Sequence, residues 1–143
     1  MIEYRITTKD DIELLKDIRL ETLRVVNGLE EDHRFPDVLL KETENYFLSG
    51  DQTTVIAVDD GKVIGCASIC YMRIMPTFSH PTGRRAHLMN VYTAENYRRQ
   101  GIAQKMATAL IEDAWEKGAT EISLDATDDG RRLYKKLGFT DSD

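Results

Sequence analysis

A chain of 143 residues, with 41% hydrophobic and 31% charged residues, has the size and composition of one ordinary globular domain. The formal net charge of −6 argues against general nucleic-acid binding, which needs a concentrated basic face. No apolar run approaches the roughly 20 residues of a membrane span. The first residues also lack the basic and apolar segments of a signal peptide. The sequence therefore predicts a cytoplasmic protein with no membrane and no nucleic-acid partner.

Two cysteines, Cys66 and Cys70, lie four residues apart in a segment with strand-like composition. A strand rises about 3.3 Å per residue, which separates them by roughly 13 Å, whereas a disulfide needs α-carbons within about 7 Å. The spacing also matches no zinc-binding pattern. The sequence therefore predicts two free thiols and no metal site.

In chain order, the first half of the sequence predicts a strand, two helices and a β-hairpin. Thr8 and Asp11 have the spacing of a capping box that opens the first helix, and Pro36 opens the second. The apolar residues of the second helix recur at helical spacing, which places Val38 on its inner face. The predicted elements are a strand over 2–6, helices over 9–27 and 36–49, and strands over 53–58 and 63–74.

The second half predicts a strand, a helix, a short strand and a last helix. Residues 75–83 form a loop because of their prolines and glycine. The short strand is most simply a parallel neighbour of the strand before the helix, joined by a right-handed crossover. The predicted elements are strands over 85–93 and 120–126, a helix from Gly101 to about Lys117, and a helix over 129–137. The sequence predicts one α/β domain over residues 1–143, with a mixed sheet.

The turn before the second-half helix has the chemistry of an anion-binding site. The first turn of a helix carries backbone N–H groups without internal partners, and it lies at the positive end of the helix dipole. Gly101 lets a ligand approach the backbone closely, and Arg98 and Arg99 add positive charge. The glycine patterns of nucleoside-triphosphate and dinucleotide sites are absent. The turn therefore predicts a phosphate-bearing ligand of another kind.

Two motifs together resemble the GNAT acetyltransferase superfamily. Arg98 to Ala103 fit its R/Q-x-x-G-x-G/A signature, and Leu133 to Phe139 resemble its second signature, a helix ending in L-Y-x-x-x-G-F. The predicted order of strands and helices is also the GNAT order, from Ile2 to Phe139. The resemblance implies a GNAT-like α/β fold of mixed α+β type. Its central sheet would be mixed but mostly antiparallel, flanked by helices, with a splayed parallel strand pair at the cofactor site.

The resemblance assigns the donor site to acetyl-CoA. Backbone N–H groups of the turn would bind the coenzyme A pyrophosphate, and the pantetheine arm would pair with the edge of the preceding strand. The predicted residues are Val91, Tyr92 and Thr93 in the strand, and Arg98, Arg99, Gln100, Gly101, Ile102 and Ala103 in the turn. No metal cofactor is implied.

The resemblance also implies one catalytic residue, Tyr134, at the position of the tyrosine that lies near the acetyl-CoA sulfur in many family members. A phenol there donates a proton or a hydrogen bond to the departing thiolate. Family members often use a glutamate to deprotonate the amine, but no Glu or Asp lies between Met72 and Thr93. His87 and Asp125 are the alternatives, and the general base stays unassigned.

The reaction implied is acetyl transfer to the primary amine of a small molecule or peptide, by direct attack in a ternary complex. The polar connection from Leu29 to Phe35 is a candidate lid, and its acidic residues favour a cationic acceptor. A non-catalytic module that binds acyl-CoA as a sensor is the alternative. Transfer to a hydroxyl instead of an amine also stays open.

The chain departs from the family pattern at two places. Many relatives carry an asparagine just before the last helix, where this chain reads Ala126-Thr127-Asp128-Asp129-Gly130. The chain also ends four residues after Phe139, whereas family members usually continue through another apolar strand. We therefore expect a short or missing last strand, and the exposed sheet edge makes a homodimer a further expectation.

Overall fold

A computed structural model describes residues 1–141, with the exception of the side chain of Asp129. Strands and α-helices follow one another in the order β1–α1–α2–β2–β3–β4–α3–β5–α4. The strands are β1 Ile2–Ile6, β2 Gln52–Asp59, β3 Lys62–Arg73, β4 Arg84–Thr93 and β5 Glu121–Leu124. The helices are α1 Ile12–Asn27, α2 Asp37–Ser49, α3 Ile102–Glu116 and α4 Asp128–Lys136, with 3₁₀ turns at Lys9–Asp11 and Glu95–Tyr97.

The five strands form one sheet in the order β1-β2-β3-β4-β5. The first four are antiparallel neighbours, and β5 pairs with β4 in parallel after the crossover through α3. This mixed, mostly antiparallel sheet flanked by helices confirms the predicted fold class. The parallel pairing begins at Arg85 and Glu121 and ends at Leu88 and Leu124, although β4 continues to Thr93. A gap therefore opens between the two strands beyond Leu88.

The core lies between the sheet and α3. Strands β2 and β3 are buried along most of their length because helices cover them, and α3 presents small and apolar residues to the sheet. Met106 and Leu110 are completely buried, and Ala107 lets the helix backbone approach closely. Each large side chain buried in this way contributes about 1.5–3 kcal/mol. This packing holds the start of α3 against the end of β4.

A β-bulge interrupts β4 at Asn90. Ser68 faces Met89 across the β3–β4 ladder and Cys66 faces Tyr92, so two β4 residues oppose a single β3 residue between them. Asn90 has a φ of 59°, in the left-handed region that asparagine tolerates better than most residues. Its side chain is 8% exposed and donates to Ser68 Oγ at 3.1 Å. A bulge increases local twist, which suits the separation of β4 from β5 at this level.

The element boundaries agree with the sequence except in detail. Thr8 and Asp11 form the predicted capping box, but they cap a 3₁₀ turn that leads into α1. Pro36 precedes the first residue of α2 instead of occupying it, and Val38 is 68% exposed, so its predicted place on the inner face is wrong. Thr127 caps α4, which begins one residue earlier than predicted. Both cysteines are free, as predicted.

Residues 137–141, which follow α4, contain no strand. Within the described part of the chain, the outer edge of β5 has no paired strand. The homodimer expected from this edge stays a prediction. Among residues 1–141 we find no helix with both the length and the apolar character that a membrane span requires.

Candidate functional site

The start of α3 has backbone donors that the protein itself does not use. Gly101 precedes the helix in a left-handed conformation with φ 80°, and Arg99 is also left-handed with φ 65°. No side chain caps this helix, and its first turn contains no acidic residue. The start of the first helical segment differs, because Thr8 caps it and its first turn contains two aspartates. The α3 terminus is therefore open to an external anion.

A cleft of about 800 Å³ lies in front of this helix start, and we call it the anion cleft. Four of its side chains are cationic and one is a carboxylate, so its charge complements a phosphate-bearing ligand. Two of the cations, Arg132 and Lys136, come from α4 and were not predicted. The lining residues are Thr93, Tyr97, Arg98, Arg99, Gly101, Ile102, Ala103, Gln104, Asp128, Arg132, Leu133 and Lys136.

Of the predicted cofactor residues in the turn, only Gln100 is not among those that line the cleft. Its side chain donates instead to the backbone carbonyl of Asn96 at 3.4 Å. The side chain of Arg98 is partly engaged as well, because its Nε donates to the Thr93 carbonyl at 3.0 Å. This bond ties the turn to the end of β4. The Arg98 side chain therefore has a structural contact besides its predicted cofactor contact.

The end of β4 exposes alternate peptide groups to the gap. Pairing with β5 stops at Leu88, and on the other side Ala94 donates its N–H to a β3 carbonyl at 2.8 Å. Because the peptide groups of a strand point alternately to either side, those of Val91 and Thr93 face the gap while those of Tyr92 face β3. The three predicted strand positions are therefore not equivalent, and Tyr92 borders a separate cavity that residues of α1 also line.

A second cavity of about 260 Å³, the gap cavity, lies where β4 and β5 separate. It is lined by residues of α1, β4, β5 and α4, among them Arg19, His87, Val91, Asp125 and Tyr134. The gap cavity therefore brings together the predicted catalytic tyrosine, one of the predicted strand residues and both candidate bases.

Tyr134 is placed in the gap cavity by packing and not by a hydrogen bond of its hydroxyl. Its ring packs edge-on against Phe139, with centroids 6.0 Å apart, and a Cβ on Gly130 would approach the ring to 3.0 Å. Burial alone raises the pKa of Tyr134, so its phenol stays protonated at neutral pH. Within residues 1–141 the hydroxyl has no protein partner, which leaves its proton available to a ligand.

His87 lies opposite Ser123 of β5, one residue before the last paired level of the two strands. Its Nδ1 is 2.8 Å from Ser123 Oγ, and its Nε2 is 3.8 Å from the exposed carboxylate of Asp125. These contacts orient the imidazole toward the mouth of the gap cavity, which it lines together with Tyr134. The two candidate bases are therefore neighbours and not separate alternatives.

A third cavity of about 450 Å³, the bulge cavity, lies behind the β4 bulge under α1 and α2. Sequence reasoning missed it. Its lining residues are Arg19, Leu39, Glu42, Thr43, Tyr46, Phe47, Ser68, Cys70, Tyr71, Met72, Met89 and Asn90. One signal was present, because Arg19 lies four residues after the buried Leu15 and three before the buried Thr22, which places a cation next to the inner face of α1.

The acidic connection between α1 and α2 does not contribute to these cavities. Residues 30–34 are exposed, and none of them lines the anion cleft, the gap cavity or the bulge cavity. The charges that border the bulge cavity are those of Arg19 and Glu42. The predicted preference for a cationic acceptor therefore loses the residues on which it was based.

The anion cleft fits the pyrophosphate of coenzyme A on two observations. The first is the uncapped, acid-free start of α3. The second is Thr93 Oγ1, which is buried at the end of β4 without a hydrogen-bond partner in the described part of the chain and borders the same cleft. Buried polar atoms are rarely left unpaired, so this hydroxyl is available to a ligand. Residues 1–141 contain no group of three His, Cys, Asp or Glu side chains placed to hold a metal ion.

Comparison with known proteins is consistent with this geometry. The chain matches the model of the acetyltransferase (GNAT) family over residues 14–139. Aminoglycoside N(6')-acetyltransferase type 1 of Serratia marcescens is 30% identical over 132 residues, which cover 88% of this chain and 84% of that enzyme. Thialysine N-epsilon-acetyltransferase of Bos taurus is 38% identical over 69 residues, which cover 45% of this chain and 41% of that enzyme.

A solved structure is similar over the whole chain. The crystal structure of a predicted acetyltransferase with acetyl-CoA from Clostridium acetobutylicum has a TM-score of 0.87 and 33% sequence identity, covering 100% of this chain and 92% of that one. These comparisons confirm the family and the fold that the two motifs predicted.

Proposed function

The chain belongs to the GNAT acetyltransferase family, and we propose that it moves an acetyl group from acetyl-CoA to the primary amine of a small molecule by direct attack in a ternary complex. Its relatives named above are N-acetyltransferases, and it is an acetyl-CoA-dependent N-acetyltransferase like them. The observation that carries the proposal is the uncapped start of α3, which opens into a cationic cleft beside an unpaired strand edge.

The donor half of the site is built mostly from backbone. The N–H groups at the start of α3 would hold the pyrophosphate, and Arg99, Arg132 and Lys136 would add charge from two sides of the cleft. The Val91 peptide groups and the Thr93 N–H would pair with the amides of the pantetheine arm, as an added strand does, while the Thr93 carbonyl accepts from Arg98. Acetyl-CoA bound in this way would supply a thioester, and we place its acetyl group at the gap cavity.

Tyr134 would act as the general acid. Tyr134 borders the gap cavity, and its phenol has no protein acceptor within residues 1–141. A phenol is protonated at neutral pH at its ordinary pKa, and burial raises the pKa of Tyr134 further. It donates its proton, or a hydrogen bond, to the sulfur that leaves with coenzyme A. General acid catalysis of this kind contributes typically about 10²–10⁴-fold to the rate.

The incoming amine must lose a proton before it attacks, because an alkylamine is mostly protonated at neutral pH. His87 borders the same cavity as Tyr134, and we assign it the role of proton acceptor. Asp125, 3.8 Å from His87 Nε2, stabilises the imidazolium that forms. Ser123 holds the other ring nitrogen. The acid and the base thus border one small cavity where the two substrates meet.

The bulge cavity adjoins the gap cavity and has a volume of about 450 Å³. This volume suits an acceptor of small-molecule size. Pockets for small ligands commonly measure about 300–1,000 Å³. The relatives named above act on an aminoglycoside and on thialysine, both of them amines. An amine acceptor is therefore favoured over a hydroxyl acceptor.

Two measurements test the proposal. Acetyl-CoA at 100 times its dissociation constant should stabilise the fold by about 2.7 kcal/mol, which raises the melting temperature by roughly 5–10 °C. A thiol-release assay across amino acids, polyamines, aminoglycosides and peptides should then reveal transfer. Stabilisation by the cofactor without release for any amine would favour the non-catalytic module. No thermal shift at saturating acetyl-CoA would overturn the donor site itself.

A further inference from the structure

A partly buried cation lies between the gap cavity and the bulge cavity. The side chain of Arg19 lines both, and its Nη1 donates to Asn90 Oδ1 at 3.2 Å. This is the single hydrogen bond of the Arg19 side chain within residues 1–141, and no carboxylate of that part of the chain lies within ion-pair distance of it. A guanidinium has five N–H donors, so most of them are available in the cavities.

No acidic side chain of the described residues pairs with this cation. Burial lowers the pKa of Arg19, which reflects the cost of removing its charge from water. The thiols of Cys66 and Cys70 would favour the charged guanidinium if they were ionised, but burial raises the pKa of Cys66 to about 12 and also raises that of Cys70. Both thiols are therefore neutral at neutral pH. A desolvated cation without an anionic partner costs free energy that a bound anion would recover.

The walls of the bulge cavity are mainly apolar. Leu39 and Phe47 of α2 face Met72 and Met89 of the sheet across it. Glu42 also borders the cavity but is an exposed residue. The cavity therefore offers an apolar compartment with one cationic group at the end that adjoins the gap cavity.

The relative positions of the gap cavity, Arg19 and the apolar bulge cavity determine which ligand shape fits. The reacting amine must lie at the gap cavity, near Tyr134 and His87, and Arg19 borders that cavity as well as the apolar compartment behind it. An anionic group bound to Arg19 is thus close to the amine, and an apolar group attached to the same molecule extends into the bulge cavity.

We propose that the acetyl acceptor is a free α-amino acid with an apolar side chain, whose carboxylate pairs with Arg19; this rests on the proposed acetyltransferase function. The α-carbon joins the amine, the carboxylate and the side chain in the arrangement that the two cavities require. In the transfer, the amine nitrogen forms a bond to the acetyl carbon while the carbon–sulfur bond breaks. The amine gives up one proton, and the sulfur leaves as the thiol of coenzyme A.

The test compares acceptors that differ by the carboxylate alone. Phenylalanine and methionine are assayed against phenethylamine and 3-(methylthio)propylamine, with acetyl-CoA saturating, in the wild type and in Arg19→Gln. Arg19→Lys retains the positive charge but lacks the planar guanidinium group. Arg24→Gln is the matched control, because Arg24 lies on the same helix, is partly buried, pairs with Glu21 at 3.7 Å and is absent from both cavities.

We expect the wild type to prefer the amino acids, and Arg19→Gln to lower kcat/KM for them by roughly 100-fold while the carboxylate-free amines change by less than about threefold. Arg19→Lys should restore part of the loss, and Arg24→Gln should have no selective effect. Equal losses for both kinds of amine would overturn the proposal, because they would indicate a purely structural role for Arg19.

Two other results separate this proposal from the function on which it rests. Efficient acetylation of polyamines or aminoglycosides with no activity on apolar amino acids would overturn the assignment of Arg19 and leave the acetyltransferase function intact. Acetyl-CoA binding with no transfer to any amine would overturn the function, and the acceptor assignment with it.

Discussion

The anion cleft and the bulge cavity are built in different ways. The anion cleft is formed mainly by one continuous stretch, from Thr93 to Gln104, and its main donors are the backbone N–H groups of a helix start. The bulge cavity is formed by side chains from α1, α2, β3 and β4, four elements that are far apart in the sequence. Its single cation and its apolar walls meet only when the sheet and both helices are assembled.

Specificity for the donor and specificity for the acceptor therefore depend on different kinds of structure. A backbone site at a helix terminus binds any suitable anion whatever the neighbouring side chains are, so a short motif is enough to encode it. A side-chain cavity depends on which residues the fold brings together, so relatives with the same motif can act on different acceptors. The donor is therefore common to the family, while the acceptor is a property of this chain.

Removing the Tyr134 hydroxyl should have the largest effect, because the proposed general acid acts where the two substrates would meet. Tyr134→Phe should lower kcat by about 10²–10⁴-fold and leave the dissociation constant of acetyl-CoA nearly unchanged. Steady-state kinetics and calorimetric titration measure the two quantities. The control is Tyr97→Phe, which removes a hydroxyl that donates to Asp59 at 2.7 Å and has no part in the proposed chemistry. A loss of acetyl-CoA binding in Tyr134→Phe would indicate that the tyrosine is structural.

A change at Asn90 tests the bulge cavity without removing its cation. Asn90→Asp keeps the size of the side chain and places a carboxylate where Oδ1 now accepts from Arg19. Because the new carboxylate would neutralise Arg19, kcat/KM for apolar amino acids should fall by roughly 10–100-fold. The carboxylate-free amines should be affected little. If the amino-acid preference persists, the anion is not bound at Arg19.

A charge at the start of α3 tests the anion cleft alone. Gln104 lies in the first turn and borders the cleft. A glutamate there is favourable to the helix dipole, so Gln104→Glu should stabilise the free protein by about 0.3–1 kcal/mol. The same carboxylate repels phosphate, so acetyl-CoA should bind several-fold more weakly, by about 1 kcal/mol. Thermal unfolding and titration should therefore change in opposite directions.

The exposed Thr108, on the same helix outside the cleft, is the control position for that variant. Thr108→Glu lacks the first-turn location and should change neither quantity by a comparable amount. Tighter binding of acetyl-CoA by Gln104→Glu would contradict a phosphate site at the start of α3.

The sequence was sufficient for the elements whose physical cause is local. The capping box at Thr8, the buried face of α3 and the turn at Gly101 each depend on residues within a few positions of one another. The parallel placement of β5 also followed, because a helix that connects two neighbouring strands returns the chain to the end of the sheet where the first strand began. These local features, together with the two motifs, were enough to predict the fold class and the donor.

The sequence was insufficient where the two edges of one strand have different neighbours. Tyr92 was predicted beside Val91 and Thr93, but strand alternation and the bulge at Asn90 turn its peptide groups toward β3. The bulge itself has no clear sequence signal, because an asparagine can also occupy a regular strand position that faces solvent. The direction of each group became known only with the register of β3 against β4.

The amino-acid sequence alone determined the family, the order of the elements and the anion-binding turn, because these follow from neighbouring residues and from the geometry of a helix start. The contact of Arg19 with Asn90, 71 residues away, became known from the tertiary structure. So did the lack of a described carboxylate that neutralises Arg19. Whether a charge is paired or unpaired depends on every chain segment that packs around it. For that reason the proposed donor site could be predicted from a motif, whereas the proposed acceptor site could be inferred only from the fold.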